Sequence, residues 1–135
     1  ADVPVVQLSI DGLLRPRDHL ELGRRLAPLR DEGVLIVGSG NIVHNLGTLR
    51  WSDTAAPYDW ALRFDRKIRD ALRDGDDATL IAYESDPDAR LAVPDPTHFL
   101  PLLYIAGTRQ PGEQVTELVD GCVYSSLTMT SVSIR

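Results

Sequence analysis

The stretch from Gly33 to Asn45, GVLIVGSGNIVHN, places the strongest constraint on how this chain can fold. Its first part, Val34–Val37, is a short apolar run rich in β-branched residues, with a glycine on each side. That pattern predicts a strand buried on both faces of a parallel sheet. The sequence GSGN that follows allows the backbone to turn sharply. The turn would bring His44 to the carboxyl end of a central strand, where open α/β sheets bind their ligands.

The first forty residues form a β-α-β pattern. Residues Val3–Ile10 read as a strand, and Asp18 is a plausible N-cap for a helix that continues to about Arg30. Pro28 should bend or end that helix. With the strand at Val34, the pattern predicts a right-handed crossover between parallel strands.

The rest of the chain alternates between helical and strand patterns. The strongest helical stripe is Tyr58–Arg73, which Gly75 should terminate. The other predicted elements are a loop over Leu46–Pro57, a short helix over Asp77–Tyr83, a helix from a Thr97 cap to Gly107, and strands over Val115–Val119 and Tyr124–Ile134 joined by a turn at Asp120 and Gly121.

Length and charge limit the classes of protein to which the chain can belong. The 135 residues, 43% of them hydrophobic, are enough for one core and hence one domain. A net charge of −6 argues against nucleic acid and anionic membranes as partners. The single cysteine, Cys122, excludes an internal disulfide, and the lack of a long apolar run predicts a cytoplasmic protein. The abrupt start at Ala1, so close to a strand pattern, suggests that further sequence precedes it.

Three histidines are candidates for chemistry. His19 lies near the start of a charged helix, where a solvated, structural role is expected. His44 follows the predicted buried strand, and His98 opens an apolar helix directly after the rigid sequence PDPT. Each could simply be hydrogen-bonded to backbone, but together they could meet at a metal, since neutral imidazole binds iron, copper and zinc. The sequence around Ser39 fits neither a hydrolase nucleophile elbow nor a complete phosphate-binding loop.

Four stretches carry a resemblance to a known family. They are VPVVQLSID, LGRRLAPLRDEGVLIVGSGNIVHNL, PYDWALRFD and THFLPLLYIAG. Together they resemble the carboxy-terminal half of the class III extradiol ring-cleavage dioxygenases, the LigB-like superfamily, and within it the DOPA 4,5-dioxygenase type. The resemblance runs through residues 1–135, which would then be the carboxy-terminal half of a catalytic domain.

The resemblance implies an α/β fold with a central mixed, mostly parallel sheet flanked by helices, present here as a partial domain. It also implies a mononuclear non-haem iron(II) site, occupied by zinc in some members, where a catechol such as DOPA is opened with O₂. His98 matches a metal-ligand position of the family. His44 matches an active-site histidine that is sometimes counted as a ligand, and its expected role is acid–base catalysis. Asn41 and Asn45 are candidate substrate-binding residues that could also orient His44.

The sequence departs from the family in one respect. The resemblance implies further metal ligands in an amino-terminal half, and motifs like GHGSP and SAHW do not occur here. The chain could be a fragment, a subunit whose partner supplies those ligands, or a relic that no longer binds iron. Strands missing from the sheet would leave an edge prone to pairing, which predicts a homo-oligomer or a complex with the chain or segment that completes the site. The rival function is a non-catalytic binding domain of the same fold.

Overall fold

Helices dominate the structure, a computed structural model that describes residues 2–52 and 54–135. The α-helices are α1 (Pro16–Leu26), α2 (Pro28–Asp31), α3 (Asp59–Asp74), α4 (Asp77–Ile81), α5 (Ala89–Ala92) and α6 (Leu100–Gly107). Short 3₁₀ turns lie at Leu46–Thr48, Tyr83–Ser85 and Pro96–His98. The predicted loop over Leu46–Pro57 contains Asp53, which, like Ala1, lies outside the described residues. Within those residues, none of the helices has the length and apolar character needed to cross a membrane.

Four short strands form two small antiparallel sheets near the end of the chain. Strand β1 (Val115–Val119) pairs with β4 (Ser131–Ile134), with Val115 opposite Ile134. Strand β2 (Cys122–Val123) pairs with β3 (Leu127–Thr128). The predicted strand over Tyr124–Ile134 is therefore wrong as a single element. Tyr124 and Ser125 both have positive φ, of 50° and 70°, and this left-handed turn separates β2 from β3.

The predicted strands at the start of the chain are also not present as strands. Residues Val3–Ile10 and Val34–Val37 have no regular secondary structure, and Val6 and Leu35 are 93% and 85% exposed. Among the described residues, the backbone groups of residues 3–10 and 35–40 make no hydrogen bond. A strand needs a neighbour to satisfy these groups, and the described part of the chain supplies none. The structure is thus α/β in the coarse sense of helices with small antiparallel sheets, and the predicted central parallel sheet is not confirmed.

Helix ends differ in detail from those expected. Arg15, not Asp18, is the N-cap of α1, and the Asp18 carboxylate accepts a hydrogen bond from the Arg15 N–H at 3.2 Å. Pro28 ends the first helical stretch as expected, because it separates α1 from α2. Thr97 is not the cap of α6 but lies in a 3₁₀ turn, where its N–H donates to the Asp95 carboxylate at 2.8 Å. The predictions for α3 and for its termination by Gly75, at φ 71°, are confirmed.

Helix α6 is the centre of the hydrophobic core. Its sequence, LPLLYIAG, is apolar on almost every face, as expected for a helix surrounded by other elements. It packs along α1, while α3 packs against α4, α5 and β3. The largest fully buried side chains of the core are Phe64, Ile68, Leu80, Phe99, Leu103 and Val43. Val43, the residue before His44, is therefore part of the core.

Two glycines allow α1 and α6 to approach closely. A Cβ added at Gly23 would overlap the carbonyl oxygen of Tyr104, and one added at Gly107 would overlap that of Leu20. Neither position has a positive φ, so glycine is required here for space and not for backbone conformation.

His19 is part of this helix contact. The sequence predicted a solvated histidine, but its side chain is fully buried, and Nδ1 lies 3.1 Å from the hydroxyl oxygen of Tyr104. The charged residues around it on α1 face solvent, whereas position 19 faces α6. Burial, together with the charge of Asp11, raises the pKa of Tyr104 and keeps its hydroxyl protonated. His19 therefore has the structural role expected of it, in a buried setting.

The glycine contact can be tested with Gly23→Ala. Alanine gains about 1 kcal/mol of helix propensity over glycine, but the two backbones must separate, and overpacking of this kind costs about 1–3 kcal/mol. We expect a net loss in the free energy of unfolding, measured by denaturant titration. Gly12→Ala is the control, since a Cβ there meets nothing within 4 Å and φ is not positive. Equal stability of the two variants would contradict the close contact.

Candidate functional site

His44 and His98 lie together although 53 residues separate them in the sequence. Their imidazole rings are stacked, with centroids 3.7 Å apart and planes inclined by 12°. His44 is half-buried, and its backbone N–H donates to the Ala92 carbonyl at 2.9 Å. His98 ends the 3₁₀ turn before α6, and its side chain is exposed. The structure thus brings the two histidines of the sequence analysis to one point and leaves His19 elsewhere.

The GSGN segment, residues 38–41, brings the two histidines into contact. The backbone N–H of Asn41 donates to the carbonyl of His98 at 2.9 Å. A Cβ added at Gly40 would overlap the same carbonyl oxygen, and one added at Gly38 would lie 2.6 Å from Cγ1 of Ile105. The sequence predicted that these glycines permit a sharp turn. That prediction is wrong, because residues 38–41 form no turn and neither glycine has a positive φ. Glycine is required at both positions for space, where this segment lies against the residues at the start of α6 and Ile105.

Burial and the neighbouring imidazole lower the pKa of His44, with burial as the larger cause. Asp95 acts in the opposite direction through its charge. The lowered pKa favours a neutral His44 at neutral pH. Neutral imidazole can accept a proton or bind a metal, and imidazolium can do neither.

The two imidazoles are suitable types of metal ligand, but two ligands are too few to make a metal site. Imidazole nitrogen is a common ligand of iron and zinc. Within the described ranges, however, no group of three or more His, Cys, Asp or Glu side chains is arranged to hold an ion. Lone pairs of two nearly parallel rings also do not converge on one point, so the stacked pair offers one ligand with the second imidazole beside it.

The two candidate asparagines have different surroundings. The Asn41 amide donates to the carbonyl of Thr128 at 2.8 Å and lies at the edge of an open groove. Asn45 is 8% exposed, and its amide bridges two backbone groups, donating to Leu91 at 2.7 Å and accepting from Gly47 at 2.9 Å. A contact of either side chain with substrate stays a prediction.

The groove beside the site is lined by the unpaired segment that precedes His44. Its volume is about 590 Å³. One wall is formed by residues 34–42, and the others come from α6 and β4. His98 lies on its rim, so the groove runs from His98 along residues 34–37, of which Val34, Leu35 and Val37 are exposed.

Sequence reasoning missed a group of buried polar residues behind the site. Thr128, Ser126 and Asp65 are each at most 2% exposed and are hydrogen-bonded. Ser126 donates its hydroxyl to the Asn45 carbonyl at 2.8 Å, and the Thr128 hydroxyl accepts from the N–H of Val43 at 3.1 Å. No spacing rule connects residues 65 to 85 positions apart, so the sequence offered no signal for them.

Gly40→Ala tests whether the close contact of Gly40 with the His98 carbonyl sets the stacking of His44 on His98. The new methyl group would press on the His98 carbonyl, so we expect the rings to separate and their mutual ring-current shifts, measured by NMR on the imidazole protons, to decrease. Gly47→Ala is the control, because a Cβ there would meet only the Asn45 side-chain oxygen, at 3.3 Å. Unchanged ring shifts in Gly40→Ala would show that the close approach is not what sets the stacking.

Comparison with known proteins agrees with the resemblance noted in the sequence. Residues 1–133 match the family model described as the catalytic LigB subunit of aromatic ring-opening dioxygenase. The chain is 42% identical to a 4,5-DOPA dioxygenase extradiol of Escherichia coli (strain K12), over 99% of the chain and 51% of that protein. It is also 42% identical to a 4,5-DOPA dioxygenase extradiol of Beta vulgaris, over 97% of the chain and 51% of that protein.

A solved structure gives the same result for the fold. The crystal structure of an uncharacterized protein, JW3007, from Escherichia coli K12 superposes with a TM-score of 0.91 at 41% identity, covering 97% of this chain and 55% of that one. The chain thus spans about half the length of the curated relatives that it matches. On the match over residues 1–133 and the shared fold, the chain belongs to the LigB family of aromatic ring-opening dioxygenases.

Proposed function

We propose that this chain is the carboxy-terminal half of the catalytic domain of an extradiol dioxygenase, which opens a catechol such as DOPA with O₂ at a mononuclear non-haem iron(II) site. The observation that carries the proposal is the stacked His44–His98 pair at the rim of a groove, in a chain of this family. Zinc is the alternative occupant of the site. We further propose a cytoplasmic location.

His98 is the metal ligand in this proposal. Its imidazole is exposed beside the groove, and its backbone is fixed by the Asn41 N–H and by the rigid turn that precedes α6. When bound, the iron would supply a template that holds the catechol oxygens and O₂ side by side. The remaining ligands would come from outside residues 1–135, since the described residues offer no third donor.

His44 is the acid–base residue in this proposal, because the stacked rings offer the metal one ligand and His98 fills that role. Burial and His98 keep its imidazole neutral at neutral pH, so it can accept the proton of a catechol hydroxyl as the substrate binds. The imidazolium then donates that proton to an oxygen of the opening ring. Its backbone bond to Ala92 anchors the main chain that carries the ring during both transfers.

Asn41 and Asn45 are the proposed substrate-side residues. Asn41 lines the groove next to His98, where its amide has one N–H beyond the one given to Thr128. Asn45 lies next to His44 but uses its amide to bridge Leu91 and Gly47, which favours a part in orienting His44.

We also propose what covers the groove. Residues 3–10 and 34–37 present exposed valine and leucine side chains, and the backbone groups of residues 3–10 and 35–37 have no partners among the described residues. Such a surface accepts an extended strand by main-chain pairing. The relatives have about as much sequence again as the part they share with this chain. We propose that an apolar strand from that second half, and not a second copy of this chain, pairs here and brings the missing ligands to His98.

Substitution of each histidine in the complete enzyme tests the two roles. His44→Ala should lower kcat for catechol-dependent O₂ uptake by roughly 10²- to 10⁴-fold, the usual contribution of a general acid–base, with little change in iron content. His98→Ala should instead lower the iron content measured by elemental analysis. Normal turnover in His44→Ala would remove the acid–base role. Absence of O₂ uptake in the complete, iron-loaded wild type would favour the non-catalytic binding domain.

The covered groove predicts different effects for two equally exposed leucines. Leu35 and Leu13 are 85% and 95% exposed in this structure, and Leu13 lies in the turn before α1, outside both unpaired segments. In the full-length protein, Leu35→Asp should lower the free energy of unfolding by about 2 kcal/mol or more, because a strand would bury the carboxylate. Leu13→Asp should change it by less than about 0.5 kcal/mol. Equal small effects would mean that nothing covers the groove.

A further inference from the structure

Thr128 makes three hydrogen bonds to the segment that leads to His44, at Asn41 and Val43. Its N–H donates to the Val43 carbonyl and its hydroxyl oxygen accepts from the Val43 N–H, both at 3.1 Å. Its carbonyl accepts from the Asn41 side-chain amide at 2.8 Å. Thr128 therefore binds both backbone groups of Val43, the residue before His44. It also binds the side chain of Asn41, whose backbone N–H donates to His98.

These bonds matter because the segment in front of them is not anchored. In the described part of the chain, residues 35–40 make no backbone hydrogen bond, so no hydrogen bond directly upstream holds residues 41–44 in place. The anchors are His98, Thr128, Ala92 and Ser126, which bind Asn41, Val43, His44 and Asn45 in turn. Of these, Thr128 alone contacts two of the four residues.

Asp65, on α3, lies beside Thr128 and is hydrogen-bonded to its neighbour Thr130. The Thr128 hydroxyl oxygen accepts from the N–H of Val43, and Thr128 lowers the pKa of the nearby Asp65 carboxyl group. Thr130 donates to Asp65 at 2.9 Å, and Arg69 pairs with it at 2.9 Å. Asp65 is 2% exposed, so its carboxylate depends on these partners, and burial raises its pKa while the two threonines and Arg69 lower it.

We propose that Thr128 is a positioning residue that sets the stacking of His44 on His98. It touches no candidate substrate or metal position itself. It acts through Val43 on His44, and through Asn41 on the His98 backbone. The effect on turnover rests on the proposed function, whereas the effect on ring geometry does not.

The chain offers a matched pair of variants and a control. Thr128→Val keeps the shape of the side chain but removes the hydroxyl, and Thr128→Ser restores it. Thr130→Val also removes a hydroxyl that binds Asp65, but Thr130 makes no hydrogen bond to residues 41–44 among the described contacts. A residue that only stabilised the fold would give similar results at 128 and 130.

The first measurement is the ring-current shift of the His44 and His98 imidazole protons, recorded by NMR on the substrate-free, full-length protein loaded with diamagnetic zinc. Thr128→Val should lose most of this shift, Thr128→Ser should keep it, and Thr130→Val should leave it unchanged. If Thr128→Val does not fold, Asn41→Ala removes the second bond to Thr128 and should reduce the same shift. Wild-type shifts in the variant that folds would overturn the proposal.

The second measurement is catechol-dependent O₂ uptake by the iron-loaded, full-length enzyme. Residues that orient metal ligands and their neighbours typically change activity by roughly 10- to 100-fold. We expect a loss of that size in kcat for Thr128→Val, a much smaller change in KM, and recovery in Thr128→Ser. Equal kcat in Thr128→Val and Thr130→Val would overturn the proposal. An inactive wild type would instead contradict the proposed function and leave the NMR result to decide on Thr128.

Discussion

The close packing of α6 against α1 is the constraint on which the site depends. Gly23 and Gly107 remove the side chains that would hold the helices apart, and the apolar faces of α6 are covered by α1 and α4. Because His98 ends the turn that leads into α6, fixing this helix fixes the His98 backbone. The GSGN segment then binds that backbone, because the Asn41 N–H donates to the His98 carbonyl. This hydrogen bond helps to position His44, three residues further along the chain. The positions of the two imidazoles thus depend on the GSGN segment, and the position of that segment depends on the contact between α1 and α6.

The segment without a strand partner and the incomplete set of metal ligands lie next to each other in the chain. Val34–Val37 has the composition of a buried strand, yet Leu35 and Val37 are largely exposed. The same segment leads directly to His44, which has one other imidazole beside it and no third donor within the described residues. A polypeptide that paired with Val34–Val37 would come to lie next to the histidines. Completion of the sheet and completion of the site are therefore the same event in the proposed enzyme.

Sequence patterns predicted the parts of the fold that local physics decides. The apolar stripe and terminal glycine of α3 were sufficient, and so was Pro28 as the end of α1. The strand predictions for Val3–Ile10 and Val34–Val37 were wrong in this chain, because a buried-strand composition cannot supply the neighbouring strand, whereas the prediction for Val115–Val119 is confirmed as β1. The break at Tyr124 and Ser125 could not be foreseen either, since positive φ at non-glycine residues is imposed by tertiary contacts.

Some residues of the site could likewise be predicted from the sequence, and others could not. His44 and His98 were found from residue type and placement after rigid or glycine-rich sequence, and the family resemblance gave them roles. Thr128 and Asp65 could not be found, because a threonine in TMTS and an aspartate on a charged helix have no distinguishing pattern. Their importance arises only where burial removes water, since a buried carboxylate and a buried N–H must then find partners within the protein. The residues that hold a site are therefore harder to predict from sequence than the residues that act in it.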